Sequence, residues 1–357
     1  MSVEVYQNQL RQLLCPPGEG VYTVHTGRER REALQQRLYG DNDPTTAWQQ
    51  SLANLTDNTA PVLLGICSDN GGGIMRGANW GPLYVREAFY QAYPGTALFE
   101  LGDVRVVPQL LLDEYVSDAT LANCRAALYG DAKSNLPVSP LSISYDVAKG
   151  FYETYPQQRL VSIGGDHSCS YPMVKAYLEH KQQHNINVAV IHFDAHTDLL
   201  DRRLGIDICF GTWTYHALNM INDPAQWVQL GIRSSGKPKQ HWESTLGLKQ
   251  YWAEDIQQQG SEAVAEQIIK DLTARSVEEL YITFDIDAID ATVVGATGTP
   301  EPNGLKPQQA IDIIERLGKA FPVTGADLME VAPLIATQSG DKTLNIAAML
   351  FNTLLTA

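Results

Sequence analysis

The segment from Asn187 to Asp198 reads NVAVIHFDAHTD and joins an apolar run to a group of metal-type side chains. The apolar part, Asn187–Phe193, predicts a buried β-strand. Directly after it, Asp194, His196 and Asp198 alternate along the chain. In an extended conformation, alternating side chains point to one side of the strand. The segment therefore predicts a strand of an α/β sheet with a metal site at its carboxyl end.

Two further groups of this kind follow other predicted strands. The strand Arg159–Ile163 leads to His167, and the strand Glu279–Phe284 leads to Asp285 and Asp287. In an open parallel α/β sheet, ligands bind outside the carboxyl ends of the strands. One such group alone would be weak evidence, since surface turns contain these residue pairs by chance. Three groups at strand ends instead predict a single site with four carboxylates and two imidazoles.

This set of donors indicates both the metal and the chemistry. It contains no cysteine, and its oxygen and imidazole ligands suit manganese, with nickel, cobalt or iron as alternatives, better than a structural zinc ion. Four aspartates would offset the charge of two divalent cations. Such a pair of cations lowers the pKa of bound water from ~15.7 towards neutrality. The donor set therefore predicts hydrolysis by a metal-bound hydroxide.

These motifs resemble those of the ureohydrolase family, which includes arginase, agmatinase, guanidinobutyrase and formimidoylglutamase. The resemblance runs from about Pro61 to the C-terminus and includes two more segments, Ala296–Pro302 and Leu328–Val331. It implies an arginase-like fold with three α/β/α layers and a mostly parallel central sheet. It also implies a homo-oligomer of three or six subunits.

The resemblance implies a metal-binding role for two histidines and four aspartates, with two of the aspartates bridging the metals. One metal would be held by His167, Asp194, Asp198 and Asp285. The other would be held by His196, Asp194, Asp285 and Asp287.

Catalytic and substrate-binding roles also follow from the resemblance. Glu330 comes after the predicted strand Phe321–Leu328 and matches the carboxylate that pairs with the substrate's guanidinium or amidinium group. A carboxylate fits the planar fork of donors in such a cation. We therefore assign Glu330 and Asp198 to catalysis. Thr299 matches a residue near the same end of the substrate.

Phe210 departs from the family pattern. In arginases and agmatinases, a His-Gly pair follows the Asp-x-His-x-Asp cluster, and its histidine is credited with proton transfer. Here Phe210 precedes Gly211, and phenylalanine cannot transfer a proton, so we assign it to substrate contact. Formimidoylglutamases also lack the histidine, so its loss does not by itself predict an inactive enzyme. His216 is expected to be a packed or surface residue.

The substrate itself stays open. Arginases usually carry asparagine and serine in the loop that here reads LLDRR at 199–203, so arginine is not expected as the substrate. Arg202, or its neighbour Arg203, would clamp a carboxylate bidentately and favour guanidino acids or formiminoglutamate. Both arginines are equally expected to be solvated or to bridge subunits. Asp201 or Asp207 would instead meet the amine of agmatine. The predicted product is urea, or formamide from a formimino compound.

The composition limits the binding partners and the cellular compartment that we expect. The 357 residues, 44% of them hydrophobic, are enough for a large α/β core, and the net charge of −15 argues against nucleic acid or an anionic membrane as a partner. The five cysteines show no paired spacing, which indicates reduced thiols and a cytoplasmic enzyme. No signal-peptide pattern or apolar run of ~20 residues is present. The expected partner is therefore a small cationic guanidino or amidino substrate.

Two parts of the chain differ in their patterns. Residues 1–60 are predicted to form an N-terminal helical extension, and residues 61–357 the catalytic domain. Within the second part, strands and helices alternate, which predicts a mostly parallel sheet. The region from Asp103 to Pro140 has no predicted element. The remaining predicted strands are Pro61–Cys67 and Trp227–Leu230, and the predicted helices are Gly81–Ala92, Ser144–Tyr155, Tyr171–His184, Ser261–Ala274, Lys306–Leu317 and Lys342–Leu355.

Two alternatives come from other classes of protein. The glycine-rich stretch Asp69–Ala78 lies between a strand and a helix, as in a dinucleotide-binding turn, but its glycines do not fit the G-x-G-x-x-G spacing. That interpretation also leaves the six ligand residues unexplained. The second alternative is a non-catalytic, metal-binding member of the family. Phe210 supports it, whereas the six retained ligands and Glu330 oppose it.

Overall fold

One sheet forms the centre of the protein in the computed structural model, which describes residues 2–21, 25–56, 60–73, 75–336 and 341–357. In these ranges its strand order is β1-β3-β2-β4-β9-β8-β5-β6-β7. Every neighbouring pair is parallel except β1 and β3. The strands are β1 Leu14–Cys15, β2 Val62–Gly65, β3 Phe99–Val104, β4 Leu160–Ile163, β5 Val188–Phe193, β6 Trp227–Leu230, β7 Lys249–Tyr251, β8 Glu279–Asp285 and β9 Val323–Met329.

Helices cover both faces of this sheet. Residues of α1, α6 and α7 belong to the hydrophobic cluster on one face, and residues of α11, α12 and α13 belong to the cluster on the other. The architecture is therefore the expected three-layer α/β/α arrangement. The helices are α1 Val3–Leu13, α2 Arg28–Tyr39, α3 Pro44–Leu52, α4 Gly81–Ala92, α5 Asp118–Tyr129, α6 Pro140–Thr154, α7 Ser170–Gln183, α8 Trp213–Leu218, α9 Lys239–Leu246, α10 Ala253–Gln259, α11 Ser261–Ala274, α12 Pro307–Ala320 and α13 Thr343–Thr356.

The predicted strands and helices are confirmed, with most ends moved by a few residues, but several elements were not predicted. The sequence analysis did not predict the strands β1, β3 and β7 or the helices α5, α8, α9 and α10, and α5 lies inside the region left without elements. Strand β3 was hidden by Glu100 and Asp103, acidic residues that are untypical of a buried strand. Both are buried and form ion pairs with the buried Arg86, at 3.1 Å and 2.6 Å. Pairing of this kind lets charged residues occupy a core position.

The segment before residue 60 packs on the sheet. Its strand β1 pairs with β3, and Tyr6, Leu10 and Trp48 belong to the first hydrophobic cluster. A domain boundary at residue 60 stays a prediction. Among the helices that the structure describes, none is long and apolar enough to cross a membrane.

The strand order determines which parts of the chain meet. Strands β8 and β9 come late in the sequence but lie between β4 and β5 at the centre of the sheet. All four strands are parallel, so their carboxyl ends share one edge of the sheet. Residues that follow β4, β5, β8 and β9 are therefore neighbours, although they are far apart in the sequence.

Candidate metal centre

Three carboxylates surround one nitrogen of His167. This residue opens a 3₁₀ turn after β4, and its side chain is buried. Its Nδ1 atom lies 3.1 Å from Asp194 Oδ2, 3.3 Å from Asp198 Oδ2 and 3.2 Å from Asp285 Oδ2. The Nδ1 atom has no hydrogen-bond partner among the described residues. The group matches the first of the two predicted ligand sets.

A second group lies beside the first and shares Asp194 with it. His196 Nδ1 is 3.4 Å from Asp194 Oδ1 and 3.1 Å from Asp287 Oδ2. Asp194 therefore turns one carboxylate oxygen to each histidine, as a bridging ligand would. Asp285 turns Oδ2 to His167, but neither of its oxygens faces His196; its Oδ1 accepts the backbone N–H of Asp287 at 2.8 Å, as Asp194 Oδ1 accepts that of His196 at 2.6 Å. A bridging role for Asp285 stays a prediction.

The distances between these donor atoms fit ligands of a common cation. Atoms that coordinate one small divalent cation at about 2.1 Å in octahedral geometry lie about 3 Å from one another. The two groups show separations from 3.1 to 3.4 Å. A buried imidazole nitrogen without a hydrogen bond, faced by three carboxylates, also fits a metal ligand. The residues are therefore suited to hold two divalent cations.

Burial and mutual repulsion perturb the acids of this site. Burial raises the pKa of Asp285 well above its usual range, and the charges of Asp287 and Asp194 raise it further. Burial, and then Asp194, also raises the pKa of Asp198. In His167, burial lowers the pKa, but the three adjacent carboxylates outweigh it and raise the pKa well above its ordinary value. The cluster thus favours positive charge at its centre.

Local backbone geometry, rather than simple alternation, brings the ligands together. Asp198 has a φ of 52° and Glu330 a φ of 62°, a left-handed conformation that is uncommon outside glycine. Asp285 ends β8, and Asp287 lies in the 3₁₀ turn that Asp285 caps. An extended chain that directs the alternating ligands to one side is therefore wrong for Asp198 and Asp287. Turns after the strands direct the side chains inward instead.

Glu330 is a buried carboxylate next to the first ligand group. It follows β9, and its Oε1 atom accepts the backbone N–H of His167 at 3.0 Å. Its own N–H donates to Gly165 O at 2.8 Å. Burial raises its pKa well above the usual range, and the charge of Asp285 adds to this effect. In the described part of the chain, no lysine or arginine forms an ion pair with Glu330, so the carboxylate is available to a cation from outside.

Thr299 and Phe210 link the ligand groups to a neighbouring cavity. Thr299 donates from Oγ1 to Asp287 Oδ2 at 3.0 Å. A methyl group placed on Gly73 would lie 3.6 Å from Thr299 Cγ2 and 3.4 Å from Phe210 Cζ, so the three residues are neighbours. Gly73 and Phe210 both line a cavity of about 650 Å³. Thr299 therefore lies between the ligands and the cavity.

The structure separates the two arginines of the loop. Arg202 forms an exposed ion pair with Asp207 at 2.8 Å and does not line the cavity. Arg203 does line it, with its guanidinium carbon 4.7 Å from the centre of the Phe210 ring. His216 bonds to the backbone oxygen of Asp201 at 2.9 Å, as expected for a surface or packed residue. Arg202 as a substrate-binding residue stays a prediction, but the geometry favours Arg203.

A row of buried polar residues crosses five adjacent strands directly below the ligands. Neighbouring members are paired in the sheet register, and all are at most 3% exposed. We call it the polar row. Sequence reasoning missed it, although four of its five members interrupt an apolar strand, which is the signal that reveals it. The row consists of Asp327 on β9, Thr283 on β8, His192 on β5, Gln229 on β6 and Gln250 on β7.

Hydrogen bonds from the polar row orient the candidate metal ligands. Gln229 Nε2 donates to His192 Nδ1 at 3.1 Å, which leaves the Nε2–H of His192 to donate to Asp194 Oδ2 at 3.0 Å. Thr283 Oγ1 lies 3.1 Å from His167 Nε2, the ring nitrogen that faces away from the carboxylates. Partners of this kind fix the ring orientation and tautomer of metal ligands.

Replacing Thr283 with valine is expected to weaken manganese binding by about 10- to 100-fold, the usual effect of losing such a partner. Valine keeps the shape of the side chain but removes the hydroxyl that holds His167. Thr324→Val is a matched control, because the Thr324 hydroxyl bonds to Tyr177 and Glu279, away from the site. Calorimetric titration with manganese measures the effect. Equal affinity in the two variants would contradict the role of Thr283.

Comparisons with known proteins agree with this geometry. Residues 59–356 match the model of the arginase family. An agmatinase of Chromobacterium violaceum is 34% identical over 177 residues, 49% of this chain and 51% of that protein, so the match spans about half the length of this relative. The human mitochondrial guanidino acid hydrolase is 29% identical over 319 residues, 85% of this chain and 81% of that protein. The structure of formimidoylglutamase from Bacillus subtilis shares the fold, with a TM-score of 0.66, 20% identity and coverage of 85% of this chain and 88% of that chain.

The family match includes every candidate ligand and Glu330. It confirms the resemblance to the ureohydrolases that the motifs indicate. It opposes the dinucleotide-binding alternative, and the described glycines Gly71 and Gly73 lie against Asp166 and Phe210 beside the ligand groups. The chain therefore belongs to the arginase family, the ureohydrolases.

Proposed function

We propose that this protein hydrolyses a carbon–nitrogen bond of a linear guanidino compound, releases urea and uses two divalent cations, with manganese as the first choice. One observation carries the proposal: Asp194 turns its two carboxylate oxygens to His167 and His196, with the buried carboxylate of Glu330 beside them. When bound, the two cations would supply a water molecule acidic enough to act as the nucleophile near neutral pH. A cytoplasmic location and a trimeric or hexameric assembly belong to the same proposal.

The side chains around the ligands have distinct tasks in this mechanism. Glu330 accepts hydrogen bonds from the substrate's guanidinium group and orients its central carbon towards the ligand groups. Asp198 is held in place by the indole N–H of Trp213, which donates to its Oδ2 atom at 2.9 Å. Thr299 fixes Asp287 in the same way. These bonds keep the site preorganised, which is a main source of enzymatic rate enhancement.

Phe210→His is expected to change kcat for urea release by less than about threefold. Position 210 lies beside the guanidinium group of Arg203, and a like charge disfavours the protonated form of an imidazole. A histidine at this position would therefore be a poor proton donor, even though it restores the family residue. Initial rates measured from pH 6 to 10 test this. A tenfold rise in kcat would contradict it and show that the site lacks only a proton shuttle.

A product assay on manganese-loaded and nickel-loaded protein tests the proposed function. The compounds are agmatine, 4-guanidinobutyrate, 3-guanidinopropionate, arginine and formiminoglutamate, and the assay measures urea, ammonia and formamide. Urea from a guanidino compound supports the proposal. Formamide would instead support a formimidoylglutamase, a family branch that also lacks the histidine. No product from protein with two bound metals would favour the non-catalytic alternative.

A further inference from the structure

We infer that the cavity beside Phe210 binds the part of the substrate distant from its guanidine group, and that it selects a bulky, largely apolar tail that ends in an anionic group. This inference rests on the proposed function, because it names the substrate class of the same site. It assigns the recognition of the tail to Arg203, supported by the ring of Phe210.

The cavity has the size and lining of a small-molecule site. Its volume of about 650 Å³ lies within the range of about 300 to 1,000 Å³ that is typical of pockets for drug-sized ligands. Leu110, Leu111, Val116, Ile206 and the ring of Tyr115 form much of its wall. A short, linear tail would leave much of this apolar surface in contact with water. A larger hydrocarbon or aromatic tail would bury it, which favours binding.

The charge in the cavity is opposite to that of the protein. The chain contains 41 acidic and 26 basic residues, yet the charged residues among the described cavity lining are two arginines, Arg76 and Arg203, without an acidic side chain. Asp207, which is near in the sequence, is paired with Arg202. A primary ammonium group at the end of the tail would lack a counter-charge here, whereas a carboxylate would find one.

The two arginines differ in their freedom to bind an anion. Arg76 donates from Nη1 to the backbone oxygen of Asp69 at 2.9 Å and to Asn70 Oδ1 at 3.2 Å. Arg203 has no ion pair with a carboxylate in the described part of the chain, and its guanidinium lies over the Phe210 ring. Such cation–π contact holds the planar group while leaving its forked donors for a carboxylate.

This arrangement also gives Phe210 a role that does not involve a proton. Its backbone N–H donates to Gly71 O at 2.8 Å, which fixes the residue against the glycine-rich stretch. Its ring then faces Gly73 on one side and Arg203 on another. The aromatic ring therefore supports the specificity-determining arginine in the wall of the cavity.

Binding of matched probes to the manganese-loaded protein tests the inference. Agmatine and 4-guanidinobutyrate each carry a chain of four carbons on the guanidine, counting the carboxylate carbon, but have opposite terminal charges, and 4-(guanidinomethyl)benzoate adds an aromatic tail. We expect calorimetry to show at least tenfold tighter binding of 4-guanidinobutyrate than of agmatine. The aromatic acid is expected to bind at least threefold more tightly than 4-guanidinobutyrate, because its ring buries more apolar surface, and weaker binding would overturn the bulky, apolar tail.

Arg203→Gln separates the tail site from the rest of the enzyme. We expect it to weaken binding of both acids by about 10- to 100-fold, as for loss of a charged hydrogen-bond partner, with agmatine changed by less than about twofold. Arg316→Gln is the matched control, since Arg316 pairs with Glu262 at the surface, at 2.6 Å, and does not line the cavity. It should leave the binding of all three probes unchanged. Both side chains lie outside the hydrophobic core, so neither change should affect folding.

Several outcomes would overturn the inference. Tighter binding of agmatine than of 4-guanidinobutyrate would do so, as would equal effects of the two arginine variants or failure of all three probes to bind. Urea assays on the same samples separate the inference from the proposed function. If urea is released most efficiently from agmatine, and its release does not depend on Arg203, the proposed hydrolase activity stands and the inference of an anionic tail fails. If the acids bind selectively and their binding depends on Arg203, but no urea is released, the inferred tail site stands and the proposed hydrolase activity fails.

Discussion

Replacing Asp194 with alanine is expected to abolish binding of both metal ions at micromolar concentrations and to stop urea release. Asp194 has one oxygen 3.1 Å from His167 Nδ1 and the other 3.4 Å from His196 Nδ1. Both groups therefore lose a ligand through one substitution. Loss of an outer-shell partner alone costs about 10- to 100-fold, so loss of this shared ligand should exceed about 10³-fold. Metal content after dialysis and initial rates measure the two effects.

The matched control is Asp287→Ala. Asp287 faces His196 but is not among the carboxylates around His167. This variant should retain one metal ion per chain and lose the other. Two metal ions retained in the Asp194→Ala protein would overturn the shared-ligand arrangement. One metal ion per chain in both variants would show that Asp194 serves a single ion.

Glu330→Gln is expected to lower kcat/KM for a guanidino substrate by about 10²- to 10³-fold while leaving the metal content unchanged. Glutamine keeps the shape of the side chain and an oxygen that can accept the N–H of His167. It removes the negative charge that pairs with the guanidinium group. Because Glu330 is 4% exposed, solvent can replace little of that interaction. Steady-state rates, with metal analysis of the same sample, measure the effect.

Glu301→Gln provides the comparison for this prediction. Glu301 Oε1 lies 3.5 Å from His196 Nε2, but its side chain is 33% exposed and is not beside the His167 group. We expect a change in kcat/KM of less than about fivefold, because exposed charges contribute little. A similar loss in both variants would mean that the total negative charge of the site, rather than contact between Glu330 and the substrate, explains the effect of Glu330→Gln.

The ligand residues could be predicted because their pattern is local. Each group comes directly after an apolar strand, and the rule that ligands gather at the carboxyl ends of parallel strands then places the groups together. The turns that direct Asp198 and Glu330 inward could not be predicted. Both residues have a positive φ, and neither has the glycine that normally signals such a turn.

The sequence also could not predict that Arg203 lines the cavity while Arg202 does not. Arg203 and Ile206 exchange backbone hydrogen bonds around a two-residue turn, in which Leu204 has a φ of 50° and Gly205 a φ of 85°. Two successive positive φ values are typical of the tight hairpin turn usually marked by Asn-Gly. With leucine at the first position, that mark is absent. The turn decides which arginine lines the cavity, so adjacent residues receive different environments.

The polar row also bears on how the sheet finds its pairing during folding. Parallel strands that are apolar on both faces, such as β5 and β8, keep most of their buried surface after a slip of one residue. A slip would move His192 or Thr283 to the opposite, aliphatic face, away from Gln229 and His167. Each polar group buried there without a hydrogen bond would cost about 1–3 kcal/mol of stability. The member of the polar row on each strand thus favours one alignment, and the correct alignment is the one that brings the aspartates and histidines to the same level before any ion binds.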